Sequence, residues 1–229
     1  MFGILTVGAH HLQNLTTRAE INRLVDADNE RELSARLKSR LEFGTAGLRA
    51  EMAAGYSRMN NLTVIQASQG LAACMLESTK GACQQSGVVI GHDHRKNQYG
   101  NSFDFARVAA AVFLSKGIKV YWFADLVHTP LVPFGVLHYG AAAGIMVTAS
   151  HNPKNDNGYK VYWSNGCQII PPHDELIAKH ISQNLVPWDG VWNTKLIDCH
   201  PLVVDAALSI QVYFSKLSAL CRYPCVSLS

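Results

Sequence analysis

Residues 142–163 read AAGIMVTASHNPKNDNGYKVYW. A run of small and apolar residues gives way at Thr148 to a loop rich in Asn, Pro and Gly, and Tyr159 opens a second apolar run. The first run, AAGIMVTA, is short and apolar throughout, the pattern of a strand buried on both faces. The second, YKVYW, is separated from CQII by Ser164-Asn165-Gly166, and Asn-Gly between apolar runs is a strong hairpin signal. The stretch therefore predicts a strand of a parallel sheet that passes through a polar loop into a small antiparallel addition.

The flanking sequence repeats the same logic. GVVIGHD (87–93) is a buried strand, and NSFDFARVAAAVFLSKG (101–117) is a helix stopped at Gly117. IKVYWFA (118–124) is a second strand, and TPLVPFGVLHYG (129–140) is a short helix entered at Pro130 and closed by Gly140. A β-α-β-α-β order implies an α/β domain with helices against both faces of a parallel sheet. Upstream, Thr17 with Glu20 and Asn29 with Glu32 match capping boxes of two opening helices. Leu33, Leu37 and Leu41 recur at helical spacing. EFGTAGLRAEM (42–52) carries neither period. Asn61 is read as the cap of a helix over 62–79. Downstream, Pro171-Pro172 precede a helix over 174–184, and SIQVYFSKLSALCR (209–222) opens another with nothing after it to pack against.

The chain has 229 residues, 48% apolar and 16% charged, enough to bury a core. A net charge of +3 is too small to point to nucleic acid. No run approaches the ~20 apolar residues of a membrane span. The six cysteines form no C-x-x-C, and Cys221 with Cys225 has no second pair to complete a zinc site; scattered thiols of this kind suit a reducing cytosol.

In open parallel sheets ligands bind beyond the carboxyl ends of the strands. The loops after the three strands, HDHRKNQYG, DLVHTP and SHNPKNDNG, therefore gather Arg95, Lys96, His128, Ser150, His151, Lys154 and, just beyond, Lys160 on one rim. Such a rim suits an anion. Ser150 lacks the G-x-S-x-G elbow of acyl-transfer enzymes, and His151, its immediate neighbour, is poorly placed as a triad base. Phosphoryl transfer asks instead for an exposed oxygen nucleophile, nearby cations and a divalent metal. Lys160 suits a general acid/base role if partly desolvated. The glycine-rich FGTAGLR, with Thr45 and Arg49, lacks the P-loop spacing but offers amides and an arginine to a phosphate.

TASHNPKNDNGYKVYW resembles the active-serine signature of the α-D-phosphohexomutases, and LEFGTAGLRAEM resembles that family's amino-terminal phosphate-contacting loop. The order of SRMNNLTVIQASQG, the serine motif, GCQIIPPHDELI and PW is similar to its animal phosphoglucomutase/phosphopentomutase branch, over roughly residues 29–222. The resemblance implies a three-layer α/β/α domain with a mixed, mainly parallel sheet. It implies a phosphosugar mutase that moves phosphate between C1 and C6 of glucose, or C1 and C5 of ribose or deoxyribose, through a phosphoserine and a sugar 1,6- or 1,5-bisphosphate. By motif match Ser150 carries the phosphate and, through it, binds Mg2+. His151 and Lys160 take the acid/base or phosphate-contact positions, and Thr45, Arg49 and Arg95 contact the sugar phosphate. Pro153 favours the phosphopentomutase/phosphoglucomutase branch over a glucose 1,6-bisphosphate synthase.

The same resemblance implies three further domains and a metal loop of three aspartates. No Asp-x-Asp-x-Asp occurs. The expected organisation is a divergent segment over 1–28, domain I over 29–205, and a truncated second domain or divergent tail over 206–229. The alternative to a mutase is a non-catalytic remnant with a partial phosphate site.

Overall fold

The computed structural model describes residues 14–220. Among these, six strands form one mixed sheet in the order β1-β5-β4-β2-β3-β6. Its centre is β2 (Val88–His92) paired in parallel with β4 (Ala143–Val147), every residue of both buried, so that no polar alternation is left to see in the sequence. On one side β3 (Val120–Trp122) and then β6 (Val203–Asp205) continue the parallel pairing. On the other side β5 (Asp156–Trp163) runs antiparallel to β4, from Ala143 opposite Trp163 to Val147 opposite Tyr159. Strand β1 (Leu48–Glu51) closes that edge antiparallel to β5. The expected mixed, mainly parallel sheet is present.

Helices cover both faces. One layer holds α3 (Asn61–Ser78), α5 (Ser102–Ser115) and α7 (His173–Gln183), packed on Val88, Ile90, Ile145 and Val161. The other holds α6 (Leu131–Tyr139) and α8 (Leu208–Leu220), over Val89, Met146 and Tyr162. Two opening helices, α1 (Leu15–Asp26) and α2 (Glu30–Leu37), close a smaller cluster in which Ile21 meets Ala54 and Leu62. The short α4 (Cys83–Ser86) precedes β2, and a 3-10 turn (Thr194–Asp198) precedes β6.

Local chemistry moved several expected boundaries. Asn14, not Thr17, caps α1 by accepting from the amides of Thr16 and Thr17. Glu20 closes no capping box. It is drawn inward to accept from Arg36 Nη1 at 2.6 Å and from the Ala54 amide at 2.8 Å, which ties α1 and α2 to the sheet. Asn29 does cap α2, but Glu32 pairs with Arg36 one turn on, and the helix ends at Leu37, leaving Leu41 outside it. The cap of α3 is Asn60, whose extended backbone and reciprocal bonds with Thr63 complete a box. Strand β1 lies inside the segment that carried no period. The Asn165-Gly166 turn forms, but CQII adds only a bridge, Gln168 to Tyr162, because β1 already occupies the first half of that edge of β5. Helix α8 does find a partner in α6, through Tyr213 and Ile210; Cys221, Arg222 and Cys225 lie outside the described residues. Cys74, Cys83, Cys167 and Cys199 are free thiols. Among the described residues no helix is long and apolar enough to cross a membrane.

Two glycines separate strain from crowding. Gly140 ends α6 at φ 62° with open space where a Cβ would lie, whereas Gly47 combines φ 74° with a Cβ position only 1.9 Å from the Tyr159 carbonyl oxygen. Gly140→Ala should cost about 1–2 kcal/mol, the left-handed penalty alone. Gly47→Ala should cost clearly more, because β1 must also move off β5. Urea unfolding of both variants checks this; equal losses would show that β1 does not sit against β5 as described.

Candidate functional site

The chain leaves β2 to cover one face of the sheet with α5 and leaves β3 to cover the other with α6. The crossover direction therefore reverses between the carboxyl ends of β2 and β4, the place where open α/β sheets form a crevice. A cleft of about 740 Å3 lies there, lined by residues 93–98, Ser150 and Lys154.

Ser150 sits at the start of the β4–β5 connection with φ 54°, a left-handed backbone that a serine adopts only under local constraint. Its amide donates to Thr148 Oγ1 at 2.9 Å. Its hydroxyl oxygen accepts from Lys160 Nζ at 2.5 Å. Lys160 comes from β5, opposite Met146 of β4, so the pairing of the two strands sets this contact. Partial burial depresses the Lys160 pKa, the Arg49 cation lowers it further, and Asp93 opposes both.

Arg49 projects from β1, opposite Gly158, and donates to Asn152 Oδ1 at 3.0 Å. Gly158 has no room for a side chain: a Cβ there would stand 2.6 Å from the Thr148 carbonyl oxygen. Asn152 in turn donates to Asp156 Oδ2 at 2.9 Å, bracing the loop across its base. Thr45 is exposed in the turn before β1, and its carbonyl accepts from Gln168 at 2.7 Å. His151 is exposed beside the serine, and its imidazole has no hydrogen-bond partner among the described residues.

Arg95 is largely buried. Its terminal nitrogens donate to four main-chain oxygens of the serine loop: Ser150 (2.7 Å), Asn152 (2.9 Å), Pro153 (2.8 Å) and Asp156 (3.0 Å). Its Nε lies 3.4 Å from Asp93 Oδ2. Asp93 Oδ1 accepts from the Ser102 hydroxyl at 2.5 Å, and Ser102 accepts from the fully buried Asn157. Lys96 and Lys154 line the cleft, whereas His128 packs its ring against Tyr213 and Phe214 instead. The structure thus joins Ser150, Lys160, Arg49 and Arg95 around one loop and takes His128 away. Asn152, Ser102 and Asn157 were missed: a buried asparagine in a polar loop carries no signal before its partners are known.

Among the described residues no group of three or more His, Cys, Asp or Glu is arranged to hold a metal ion. A single serine phosphate is too few ligands for Mg2+, so the residues present do not make a magnesium site on their own.

Residues 40–186 match the family model described as phosphoglucomutase/phosphomannomutase, alpha/beta/alpha domain I. A Schizosaccharomyces pombe protein assigned as a phosphoribomutase is 55% identical over 207 residues, 90% of this chain and 34% of that protein. Human phosphopentomutase is 48% identical over 218 residues, 94% of this chain and 36% of that protein. A solved Thermus thermophilus structure assigned as a phosphomannomutase superposes with a TM-score of 0.61 at 27% identity, covering 79% of this chain and 36% of the other. The chain thus spans about a third of the length of the relatives it matches.

The electrostatics of Lys160 are open to a direct check. Its amine should titrate below the exposed lysines in an NMR titration of reductively 13C-methylated protein. Arg49→Gln should raise its pKa by removing a like charge, and Asp93→Asn should lower it by removing a favourable one. An unmoved Lys160 in Arg49→Gln would exclude Arg49 as a cause of the depression.

Proposed function

The chain belongs to the phosphoglucomutase/phosphomannomutase family, and from that premise we propose that Ser150 is the phosphate carrier of a phosphosugar mutase. The observation that carries this reading is the 2.5 Å contact between Ser150 Oγ and Lys160 Nζ beside a cation-lined cleft. A depressed pKa makes the Lys160 amine easier to deprotonate than an exposed lysine, and in its neutral form it can take the serine proton. Ser150 Oγ then attacks the phosphorus of a sugar bisphosphate. The Oγ–P bond forms, the sugar O–P bond breaks, and a sugar monophosphate leaves. A sugar monophosphate then binds, its free terminal hydroxyl attacks the phosphoserine phosphorus, the Ser150 Oγ–P bond breaks and a bisphosphate forms. Once that bisphosphate reorients, its other phosphate returns to Ser150, and phosphate has moved from one end of the sugar to the other. Once protonated, Lys160 holds the dianion on Ser150 by a charge-assisted hydrogen bond. In this reading Arg49 and Thr45 contact the sugar phosphate, and His151 meets the sugar hydroxyl.

The substrate class we favour is a pentose phosphate, on relatives assigned as phosphoribomutase and phosphopentomutase. A sugar bisphosphate serves as activator and intermediate. Mg2+ would supply charge neutralisation to the transferring phosphate, with Ser150 contributing one ligand through its phosphate and the remaining ligands coming from outside the described residues. We take residues 29–205 as domain I, acting with the further domains that the longer relatives have room for, in the cytosol.

Incubating the chain with glucose 1,6-bisphosphate and Mg2+ should place one phosphate on Ser150, read by peptide mass spectrometry. Net turnover of ribose 1-phosphate is not expected. Ser150→Ala should abolish the label, and Lys160→Met should slow it by about 10²-fold, the scale of a lost general base. Label on another residue, or none on Ser150, would favour a non-catalytic phosphate-binding domain instead.

A further inference from the structure

We infer that Arg95 is not a substrate contact but the positioning residue of the serine loop: it turns the loop's carbonyl groups inward and so leaves main-chain amides free to face a phosphate. The inference rests on the mutase reading for its consequence and on the geometry alone for its substance. The terminal N–H groups of the guanidinium are committed to four carbonyl oxygens between Ser150 and Asp156, and Asp93 backs its Nε. A phosphate could recruit Arg95 only by breaking that set.

The commitment has a directional result. A trans peptide points its N–H opposite to its C=O. With the carbonyls of Ser150 and Pro153 aimed at the guanidinium, the amides of His151 and Lys154 point away from it. Neither amide has an intramolecular partner among the described residues. Two free amides on one side of a tight loop offer a donor pair to an anion. The same four bonds fix the backbone at Ser150, whose left-handed conformation sets where Oγ meets Lys160. Lysine cannot replace this arrangement, since it has no planar fork of donors.

Arg95→Lys in the 229-residue chain is the test, with two readouts. In amide hydrogen exchange, Asn152 and Asp156, which donate to the Ala149 and Pro153 carbonyls, should exchange at least about tenfold faster, the equivalent of one net hydrogen bond. The amides of β2 and β4 should stay protected. Unchanged exchange of the two loop amides overturns the inference. In the Ser150 labelling reaction, the rate constant should fall by about 10²-fold, as for a misplaced nucleophile, with the half-saturating bisphosphate concentration unchanged. A raised half-saturating concentration with a still-protected loop would make Arg95 a phosphate contact and overturn the inference. If the unsubstituted chain takes no label, the mutase reading fails and the exchange experiment alone decides the role of Arg95. Asp93→Asn, which keeps the guanidinium but removes its backing, should loosen the same two amides even if Arg95→Lys fails to fold.

Discussion

The chain reverses direction between β4 and β5 within eight residues, 148–155, and both strands it joins are buried. Everything at the rim depends on closing that reversal. Where this loop is withdrawn from solvent, at Asn152 and Asp156, its carbonyl groups need protein partners, because an unpaired buried carbonyl costs about as much as a lost hydrogen bond. Within its own sequence the loop supplies only two main-chain bonds, Asn152 to Ala149 and Asp156 to Pro153. Arg95 supplies four more from the neighbouring strand's loop. The clamp is in turn oriented by Asp93, Ser102 and Asn157, so the start of α5 and the start of β5 are held by the same group of polar side chains. Fold and site are one problem here: the interaction that lets the chain turn is also the one that sets Ser150.

That coupling explains which parts of the protein were legible in the sequence. The β-α-β-α-β core was legible because its strands are short apolar runs punctuated by Gly and Pro, and because parallel connections leave few topologies. The rim position of Ser150, Lys154 and Lys96 followed from the same rule. The role of Arg95 was not legible, because its acceptors are main-chain oxygens, which every residue has. Strand β1 was hidden for a related reason: four edge residues, LRAE, are too few to show a period, and their place is set by the close approach of Gly47 to Tyr159. The shift of the α3 cap from Asn61 to Asn60 depends on which of two adjacent asparagines takes the extended backbone, and tertiary bonds to Ala53 and Gly55 decide that. His128 shows the opposite error, a residue on a correct loop that aromatic packing against α8 carried away from the cleft.

Charge then gives the rim its direction. Lys160 lies close enough to Arg49 for the two cations to disfavour each other, and partial burial adds to the cost of keeping Lys160 charged. Asp93 compensates only in part, since Arg95 claims one of its oxygens and Ser102 the other. An unliganded cluster of this kind is held together by the backbone that carries it, β1 and β5, rather than by its own attractions. A dianion placed on Ser150 would reverse the balance: each cation that opposed its neighbour would gain a partner, and the proton affinity of Lys160 would rise as negative charge arrives on the serine.

The arrangement also limits what this part of the molecule can do. In the proposed reading Lys160 and Arg49 act on the serine side of the transferring phosphate, and the loop amides face the same side. Nothing among the described residues assembles the carboxylates that would hold a divalent cation. In that reading a nucleophile, its proton acceptor and a cationic seat are residues of this chain. Taking phosphate from a sugar bisphosphate and passing it back to a sugar hydroxyl are one step run in opposite directions, so either direction needs charge stabilised on both the entering and the leaving oxygen. The proposed transfer is therefore divided across the phosphate rather than between its two directions: the serine side draws on residues of this chain, and the sugar side on groups that would approach the open side of the cleft.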